Sequence, residues 1–453
     1  MNHHDASADL AARLALPAYQ SYSYAYPHKT AYRALQPPRR LADVWADEPR
    51  DALFLYIHIP FCSYRCGFCN LFALAVPNAE VVERYLDQLQ AQLQAVLQAL
   101  GEHRFVRFAL GGGTPSYLNQ AQLTRLFSML EAAGIDLVTM PAAMEVSPET
   151  VDIDKMRLAR AAGIERISMG IQSFNAAEVR RLVRPQQNAV VEAAIAAIRA
   201  AGFPLLNLDL IYGIEGQTVD SFLASIDSVL VHRPEELYLY PLYVRPKTGL
   251  DRIEGGRPRI HLHPEPVDSR LAMYRAGRER LLAAGYRQIS MRMFRAADAP
   301  NPDAPAYSCQ RDGMVGLGCG ARSYTSRLHY SSEYGVARRS VHDILQHWLQ
   351  RNPAEFALAD YGFELDEDER RRRHLVQSLL IQPGLDRADY QARFGADCLQ
   401  HFPALDALRR QGLAEFDTDY LQLNAEGMAH ADVIGPWLVS PAVAERMREY
   451  ELR

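Results

Sequence analysis

Between residues 53 and 243, buried strand-like runs alternate with amphipathic helical segments in six rounds. The strand-like runs are LFLYIHI, FVRFALGGG, AMEVS, ERISMGIQSF, LLNLDLIYG and ELYLYPLY, and segments such as VVERYLDQLQAQLQAVLQAL separate them. Strands that alternate with helices of this length favour a parallel sheet joined by right-handed crossovers. The fold class is therefore α/β, and the six rounds are compatible with a doubly wound sheet or with a partial barrel.

The ends of the predicted strands carry residues that simple turns do not need. A cysteine loop follows the first strand and GGGTP (111–115) follows the second, while Glu145, Gln172 and Asp209 stand in or after the next three. The carboxyl ends of parallel strands are where α/β proteins collect their chemistry, and in a barrel they share one mouth. We therefore expect these residues to form one site.

Three cysteines follow the first strand in a CxxxCxxC arrangement, at Cys62, Cys66 and Cys69. Thiolates on one short loop favour an iron-sulfur cluster, zinc or Cu(I). A four-iron cluster held by three protein ligands keeps one iron open for a small molecule. The alternative is a structural zinc site in which His58 completes a closed shell of four ligands.

The other strand-end residues suit a ligand with an amino-acid end and a nucleoside end. Glycines allow backbone N–H groups to approach a carboxylate closely, and Thr114 can add a hydroxyl. Glu145 and Asp209 can accept hydrogen bonds from ribose hydroxyls, and Gln172 can donate and accept. For Arg184 we consider two roles, a bidentate carboxylate clamp and a solvated surface arginine.

Composition argues against several other functions. The net charge is −5 and the hydrophobic content is 48%, so the chain shows no global attraction to nucleic acid or to an anionic membrane. The first twenty residues lack a basic region followed by an apolar one, and no apolar run reaches the length of a membrane span. The scattered cysteines at 309, 319 and 398 fit a reducing compartment. We expect a cytoplasmic, monomeric enzyme with a small-molecule substrate.

The regions on either side of the alternating pattern are less regular. Residues 1–50 are interpreted as an irregular arm, residues 51–330 as the catalytic barrel and its extension, and residues 331–364 as a linker. Residues 365–453 predict a small helical, winged-helix-like domain with a hairpin. Acidic residues in the predicted wing would repel phosphate, so we expect no nucleic-acid partner.

The motifs YIHIPFCSYRCGFC, GGGTPSYL, EVSPET, ERISMGIQSFN and NLDLIYG together resemble the oxygen-independent coproporphyrinogen III oxidase family of radical S-adenosylmethionine enzymes. The resemblance implies a partial (β/α)6 barrel with a [4Fe-4S] cluster on the three cysteines. It also implies that the open iron chelates S-adenosylmethionine and that a low-potential donor such as flavodoxin or ferredoxin supplies the electron. The C-terminal unit would cover the barrel mouth.

The resemblance also assigns individual residues. Tyr56, Phe68, Gly112 and Glu145 match positions that serve the cluster-bound S-adenosylmethionine, with Phe68 against its adenine. Gly113, Thr114, Gln172, Arg184 and Asp209 match positions that hold a second S-adenosylmethionine in some members, and Tyr243 aligns with a smaller residue that contacts this second cofactor.

Some positions depart from the family pattern. Asn70 and Leu71 follow the third cysteine where coproporphyrinogen-oxidising members carry a further cysteine, and Arg322 stands where an apolar cofactor contact is expected. The heme-binding motif of the heme-chaperone branch has no counterpart around Tyr307 to Arg311. Three hypotheses follow, namely a radical enzyme of an unassigned subgroup, a heme-binding chaperone and a zinc-stabilised binding module. The radical enzyme would decarboxylate a porphyrinogen-like substrate or transfer a methyl or methylene group.

Overall fold

The computed structural model describes residues 3–19, 25–253, 269–300 and 311–452. Its strands are, in chain order, β1 Arg33–Arg40, β2 Leu53–Ile59, β3 Phe61–Cys62, β4 Leu74–Ala75, β5 Phe105–Gly112, β6 Ala142–Val146, β7 Arg166–Gln172, β8 Leu205–Tyr212, β9 Glu236–Pro241, β10 Tyr286–Gln288, β11 Met293–Ala296, β12 Met314–Leu317, β13 Arg322–Tyr324, β14 Leu328–Ser331, β15 Leu358–Glu364, β16 Leu385–Asp386, β17 Ala414–Phe416 and β18 Tyr420–Leu423.

The helices are α1 His3–Leu14, α2 Leu41–Val44, α3 Ala79–Leu100, α4 Gln120–Ala132, α5 Ile153–Ala161, α6 Ala176–Arg181, α7 Asn188–Ala200, α8 Val219–Val231, α9 Gly249–Ile253, α10 Ser269–Ala283, α11 Arg338–Gln350, α12 Glu367–Leu379, α13 Arg387–Phe394, α14 Cys398–His401, α15 Asp406–Arg410, α16 Ala425–Ala429, α17 Ala431–Trp437 and α18 Pro441–Arg448. Within the described residues, none of these helices combines the length and the apolarity that crossing a membrane requires.

The centre of the molecule is the predicted parallel sheet. Strands β2, β5, β6, β7, β8 and β9 lie side by side in chain order and run parallel, which confirms the α/β prediction. A seventh parallel strand, β12, pairs with β2 from far along the chain. Antiparallel strands extend both edges, so the six sequence-predicted strands form the middle of a larger open sheet.

The longest crossover helix, α3, shows why these segments cover the sheet. The Asn78 side chain accepts a hydrogen bond from the Val81 amide and caps the first turn. Leu86, Leu89 and Leu93 then recur at helical spacing and are almost fully buried in the main core. The helix therefore stays fixed on the sheet beside the cysteine loop, which lies between β2 and α3 in the sequence.

The N-terminal arm is more regular than the sequence predicts. It contains α1, and its strand β1 joins the sheet by antiparallel pairing with β15. Two prolines stand in β1, which is possible because β1 is an edge strand and needs fewer ladder hydrogen bonds. The 331–364 segment, which we interpreted as a linker, contains α11 and β15.

The C-terminal segment has its own core, and the arm belongs to it. Ala6, Leu10 and Tyr32 pack in the same buried cluster as Leu375 and Leu421. Strands β16, β18 and β17 form a small separate antiparallel sheet that contains the predicted hairpin. The arm therefore helps to bury the C-terminal unit.

The segment that follows β9 forms a strand pair where the sequence suggests one strand. Part of this segment lies outside the described residues. YRQISMRMF was predicted as one strand but forms β10 and β11, an antiparallel pair that meets β9. Cys309, the loop before residue 269 and most of the segment around 307–311 lie outside the described residues. Cys319 is fully buried in the main core, and Cys398 is fully buried in the second core.

Candidate active site

A cavity of about 520 Å³ opens at the carboxyl ends of the parallel strands. Every candidate site residue taken from the sequence lines it, namely Tyr56, Cys62, Cys66, Phe68, Cys69, Gly112, Gly113, Thr114, Glu145, Gln172, Arg184, Asp209 and Tyr243. Its volume is in the range of sites that enclose cofactor-sized ligands. The expectation that the strand ends share one mouth therefore agrees with the geometry.

The cysteine loop is held against the sheet by backbone hydrogen bonds. Cys62 lies in β3, which pairs in parallel with β4, and the Cys69 amide donates to the Cys66 carbonyl across 3.1 Å. Burial raises the pKa of the Cys62 thiol to about 12 and that of the Cys66 thiol to about 11. Metal binding must therefore displace protons from these thiols. The three thiols in one cavity are the soft donor set that an iron-sulfur cluster requires.

Gly67, in the middle of the loop, allows a close approach that no other residue would permit. Its amide donates to the Leu182 carbonyl, and its own carbonyl accepts from the Leu250 amide. A Cβ at this position would lie 2.9 Å from the Val183 side chain and 3.0 Å from the Leu182 carbonyl oxygen. The cysteine loop is thus fixed between the end of α6 and the start of α9.

His58 does not act as the fourth ligand that the zinc alternative requires. One ring nitrogen, Nε2, lies 2.9 Å from the Phe72 carbonyl oxygen, and the other, Nδ1, lies 3.2 Å from the Tyr56 hydroxyl. Burial lowers the pKa of His58 to about 4, so the ring is neutral and serves as a buried support. The zinc hypothesis has no support here.

Arg184 is buried and engaged, which excludes the surface alternative. Its guanidinium donates to the Cys66 sulfur across 3.2 Å, to the Gly170 carbonyl across 2.8 Å and to the Gln186 side chain across 2.9 Å. Only 7% of the residue is exposed. Hydrogen bonds to cluster sulfurs tune redox potential, so Arg184 is placed to affect a cluster at Cys66 as well as a cofactor in the cavity.

The glycine turn differs from the expectation in one respect. The Gly112 amide donates to Glu145, the Gly113 amide to the Ile59 carbonyl and the Thr114 amide to the Phe61 carbonyl. The N–H groups that we expected to face a carboxylate are therefore already used inside the protein. Any backbone contact from these three residues to the amino-acid end of a ligand would have to come from a carbonyl oxygen, which suits an ammonium group.

Two carboxylates face the cavity from β6 and β8, the strands on either side of β7. Burial raises the pKa of Glu145 even though the Gly112 amide donates to it across 3.0 Å. Burial also raises the pKa of Asp209 to about 7, against the hydrogen bond from Asn207 at 2.7 Å. Both side chains line the cavity, where Glu145 is exposed and Asp209 is half-buried, so both can accept hydrogen bonds from ligand hydroxyls.

Gln172 stands at a bulge that redirects its side chain. The register between β7 and β8 shifts between Gly170 and Gln172, and Gln172 has a φ of 72°, which is unusual for a residue with a side chain. A Cβ on Gly170 would overlap the Gln172 amide nitrogen. Within the described part of the chain, the Gln172 amide group has no hydrogen bond of its own. Backbone strain at a cavity wall is typical of functional sites.

Tyr243 connects the cavity wall to the C-terminal unit. Its hydroxyl donates to the Asp432 carboxylate in α17, which also pairs with Arg292. The Asp432 side chain is 1% exposed and that of Arg292 is 8% exposed. The Tyr243 hydroxyl is therefore engaged by the C-terminal unit, while the residue still lines the cavity.

The sequence analysis missed a group of cations at the mouth. Besides Arg322, which the sequence singled out, Lys29, Arg65 and Arg245 line the cavity, and they outnumber Glu149 and Glu333, the acidic residues that line it besides Glu145 and Asp209. The cations come from distant segments, so no local spacing signals them. The segment after Arg322 supplies one further lining residue with a hydroxyl, Tyr334, whereas His329 is fully buried elsewhere and the Tyr330 hydroxyl accepts from Trp45.

Two family descriptions match the chain in order. The Radical SAM superfamily matches residues 56–229, and the HemN C-terminal domain matches residues 365–430. The oxygen-independent coproporphyrinogen III oxidase of Pseudomonas aeruginosa is 27% identical over 448 residues, which cover 93% of this chain and 92% of the relative. The heme chaperone HemW of Bacillus subtilis is 25% identical over 397 residues, which cover 84% of this chain and 98% of the relative.

A solved structure shows the same fold. The coproporphyrinogen III oxidase HemN from Escherichia coli, described as a radical SAM enzyme, superposes with a TM-score of 0.78 and 26% identity, and the match covers 92% of this chain and 97% of that one. The match includes the parallel sheet, the mouth and the C-terminal unit. The chain belongs to the radical S-adenosylmethionine superfamily, as a member of its oxygen-independent coproporphyrinogen III oxidase-like family.

Proposed function

We propose that this chain abstracts hydrogen from a small-molecule substrate held at the cationic mouth of its cavity. As a radical enzyme it uses a [4Fe-4S] cluster and S-adenosylmethionine, which together supply a 5′-deoxyadenosyl radical when they are bound. The observation that carries the proposal is the convergence of three thiols with Glu145, Gln172 and Asp209 on one cavity.

The residues divide into two groups around the cofactor. Cys62, Cys66 and Cys69 would hold the cluster, and Tyr56, Phe68, Gly112 and Glu145 would hold the S-adenosylmethionine bound to it. Phe68 packs against the apolar side chains of Leu182, Ile211 and Leu242, which fix its ring beside the cavity. There the ring can contact an adenine face.

A second S-adenosylmethionine would use the other wall. Gly113, Thr114, Gln172, Arg184, Asp209 and Tyr243 line it. The Gln172 amide and the Asp209 carboxyl supply the donors and acceptors that a nucleoside needs. Because Arg184 already donates to Cys66 and Gly170, it would need to rearrange before it could clamp a carboxylate.

A more specific candidate function is oxidative decarboxylation of coproporphyrinogen III. The relatives named as coproporphyrinogen III oxidases favour it, and so do the mouth cations Lys29, Arg65, Arg245 and Arg322, because this substrate carries carboxylates. Leu71 stands against it, since the residue is 46% exposed at the mouth where oxidising members carry a cysteine. A heme chaperone is the other candidate that a relative's name raises.

The first experiment separates a radical enzyme from a binding protein. Protein purified without oxygen should contain about four irons and four sulfides per chain. After reduction with dithionite it should release 5′-deoxyadenosine from S-adenosylmethionine. Cys66→Ala should abolish the release, whereas Cys398→Ala, a buried cysteine in the second core, should keep it. Well-loaded protein that releases no 5′-deoxyadenosine would contradict the proposal.

The second experiment identifies the substrate. Incubation with coproporphyrinogen III and mass analysis of the product would show the loss of two carboxyl groups as CO2 if the chain is a true oxidase. Slow release of 5′-deoxyadenosine with unchanged coproporphyrinogen III would favour another carboxylate substrate. Tight heme binding without any turnover would favour the chaperone.

A further inference from the structure

A second groove lies beside the cysteine loop and shares one lining residue, Ala75, with the active-site cavity. Its walls are the segment from Leu74 to Val81, the start of α11 and Arg252 of α9. Three arginines and a histidine line it, namely Arg252, Arg338, Arg339 and His342, and its described lining includes no acidic residue. The groove is therefore a basic site on a chain whose net charge is −5.

The groove lies very close to a cluster ligand. Its wall includes Ala75 and Val76, and Ala75 is the strand partner of Cys62. The Val76 amide donates to the Cys62 carbonyl across 2.9 Å. One hydrogen bond and a few covalent bonds therefore connect the groove surface to the Cys62 thiolate.

Val76 has no evident structural role in this position. It is 70% exposed and has a φ of 52°, which is rare and strained for a β-branched residue. Leu74, Pro77 and Val81 also line the groove, so Val76 belongs to an apolar patch within a charged surface, which is typical of protein contact sites. The strained valine thus supplies an apolar centre for a contact beside the cluster ligand.

The arginines at the start of α11 are not explained by local stability. Arg338 and Arg339 occupy the first turn, where the helix dipole disfavours positive charge, and Ala337 provides no side-chain cap. The Arg339 side chain is 95% exposed and lies 4.0 Å from Asp343. Within the described residues, Arg338 has no ion pair. The positive charge of this turn is therefore available to an outside partner.

We infer that this groove, formed by Val76, Arg252, Arg338, Arg339 and His342, is the docking surface for an acidic one-electron carrier protein of the flavodoxin class. The inference rests on the proposed function, because only a cluster enzyme needs this partner. One electron leaves the anionic flavodoxin hydroquinone, which becomes the neutral semiquinone, and the oxidised cluster on the cysteines gains that electron. The negative charge of the rest of the chain would direct an acidic partner to this groove.

The test measures binding and electron transfer separately. The double variant R338E/R339E should bind reduced flavodoxin at least about tenfold more weakly at low salt, and added salt should reduce the difference from the wild type. Its cluster should be reduced more slowly by flavodoxin hydroquinone. The matched control R409E/R410E makes the same charge change on an adjacent exposed pair in α15 and should leave the affinity unchanged.

Dithionite separates this inference from the proposed function. Both double variants should release 5′-deoxyadenosine at the wild-type rate when dithionite supplies the electron, because a small reductant needs no docking surface. Equal flavodoxin affinity in R338E/R339E and wild type would overturn the inference, and so would an equal loss in the control variant. A wild-type chain without dithionite-driven turnover would contradict the proposed function, whereas the binding comparison would still decide the docking surface.

Discussion

The guanidinium of Arg184 donates a hydrogen bond to the Cys66 sulfur across 3.2 Å while its other terminal nitrogen donates to the Gly170 carbonyl across 2.8 Å. A positive charge and a hydrogen bond on a cluster thiolate stabilise the reduced cluster, because reduction adds negative charge. Arg184→Gln should therefore lower the reduction potential of the cluster, which a redox titration followed by electron paramagnetic resonance would measure.

Arg181→Gln is the matched control for that change. Arg181 is the last residue of α6 and lies shortly before Arg184 in the sequence, but its side chain is 63% exposed and pairs with Glu215. Its removal should leave the potential unchanged. An unchanged potential in fully loaded Arg184→Gln protein would mean that this hydrogen bond does not affect the cluster.

Asp209 should make the cofactor-free protein less stable as the pH rises. Burial raises the pKa of its carboxyl from 3.8 to about 7 in the folded chain. Between these two values the folded chain holds a proton that the unfolded chain has released, so the free energy of unfolding falls as pH rises from about 4 to about 7. The full effect is at most ~4 kcal/mol and is smaller where cavity water screens the charge.

Asp209→Asn should remove this part of the pH dependence, which urea unfolding at several pH values would measure. The same titration bears on ligand binding. If ribose hydroxyls donate to the ionised carboxylate, the affinity of the wild type for S-adenosylmethionine should rise with pH up to about 7, and that of Asp209→Asn should not. Parallel unfolding curves for the two proteins would contradict the expectation.

Gly170→Ala should weaken cofactor binding through Gln172. The new methyl group would overlap the Gln172 amide nitrogen and displace it from the cavity wall. Because Gly170 lies outside the cysteine loop, the iron content should stay unchanged. Gln172→Ala should produce a similar loss of S-adenosylmethionine affinity, measured by equilibrium binding. A much smaller loss in Gln172→Ala would show that Gly170 acts through another neighbour.

Asp432→Asn should weaken the contact between the C-terminal unit and the barrel mouth and lower the free energy of unfolding. The substitution leaves Arg292 as a buried charge without its carboxylate partner, which typically costs 3–5 kcal/mol of the free energy of unfolding. Asp298→Asn removes an exposed partner of Arg233 and should cost less than about 1 kcal/mol. Chemical unfolding would measure both, and similar values would contradict the role assigned to the buried pair.

The sequence predicts the middle of the fold because each central strand is a continuous buried run. Leu53 to Ile59 is such a run, and so is Leu205 to Tyr212. Strand β12 has only four residues and includes Gly316, so its parallel pairing with β2 depends on tertiary contacts that no local pattern reveals. The pairing of the proline-containing β1 with β15 is a long-range contact of the same kind.

The candidate site follows from the sequence to a similar extent. The cysteine loop and the strand-end residues Glu145 and Asp209 are predictable, because parallel strands bring their carboxyl ends to one edge. The mouth cations Lys29 and Arg245 come from the arm and from a loop after β9, and only the folded chain brings them together. The engaged amides of the glycine turn were also unpredictable, since their acceptors lie on β6 and in the β2–β3 segment.

Tyr26 connects the N-terminal arm to α12 and to the start of α18. Its hydroxyl donates to Glu369, and the Ser440 amide donates to that hydroxyl across 3.4 Å. Synthesis on the ribosome produces the barrel strands and the cysteine loop long before Ser440 emerges. These contacts of the arm can therefore form only after residue 440 has been synthesised, and Lys29 belongs to the same arm. A cluster inserted before that point would enter a cavity whose mouth the arm does not yet line.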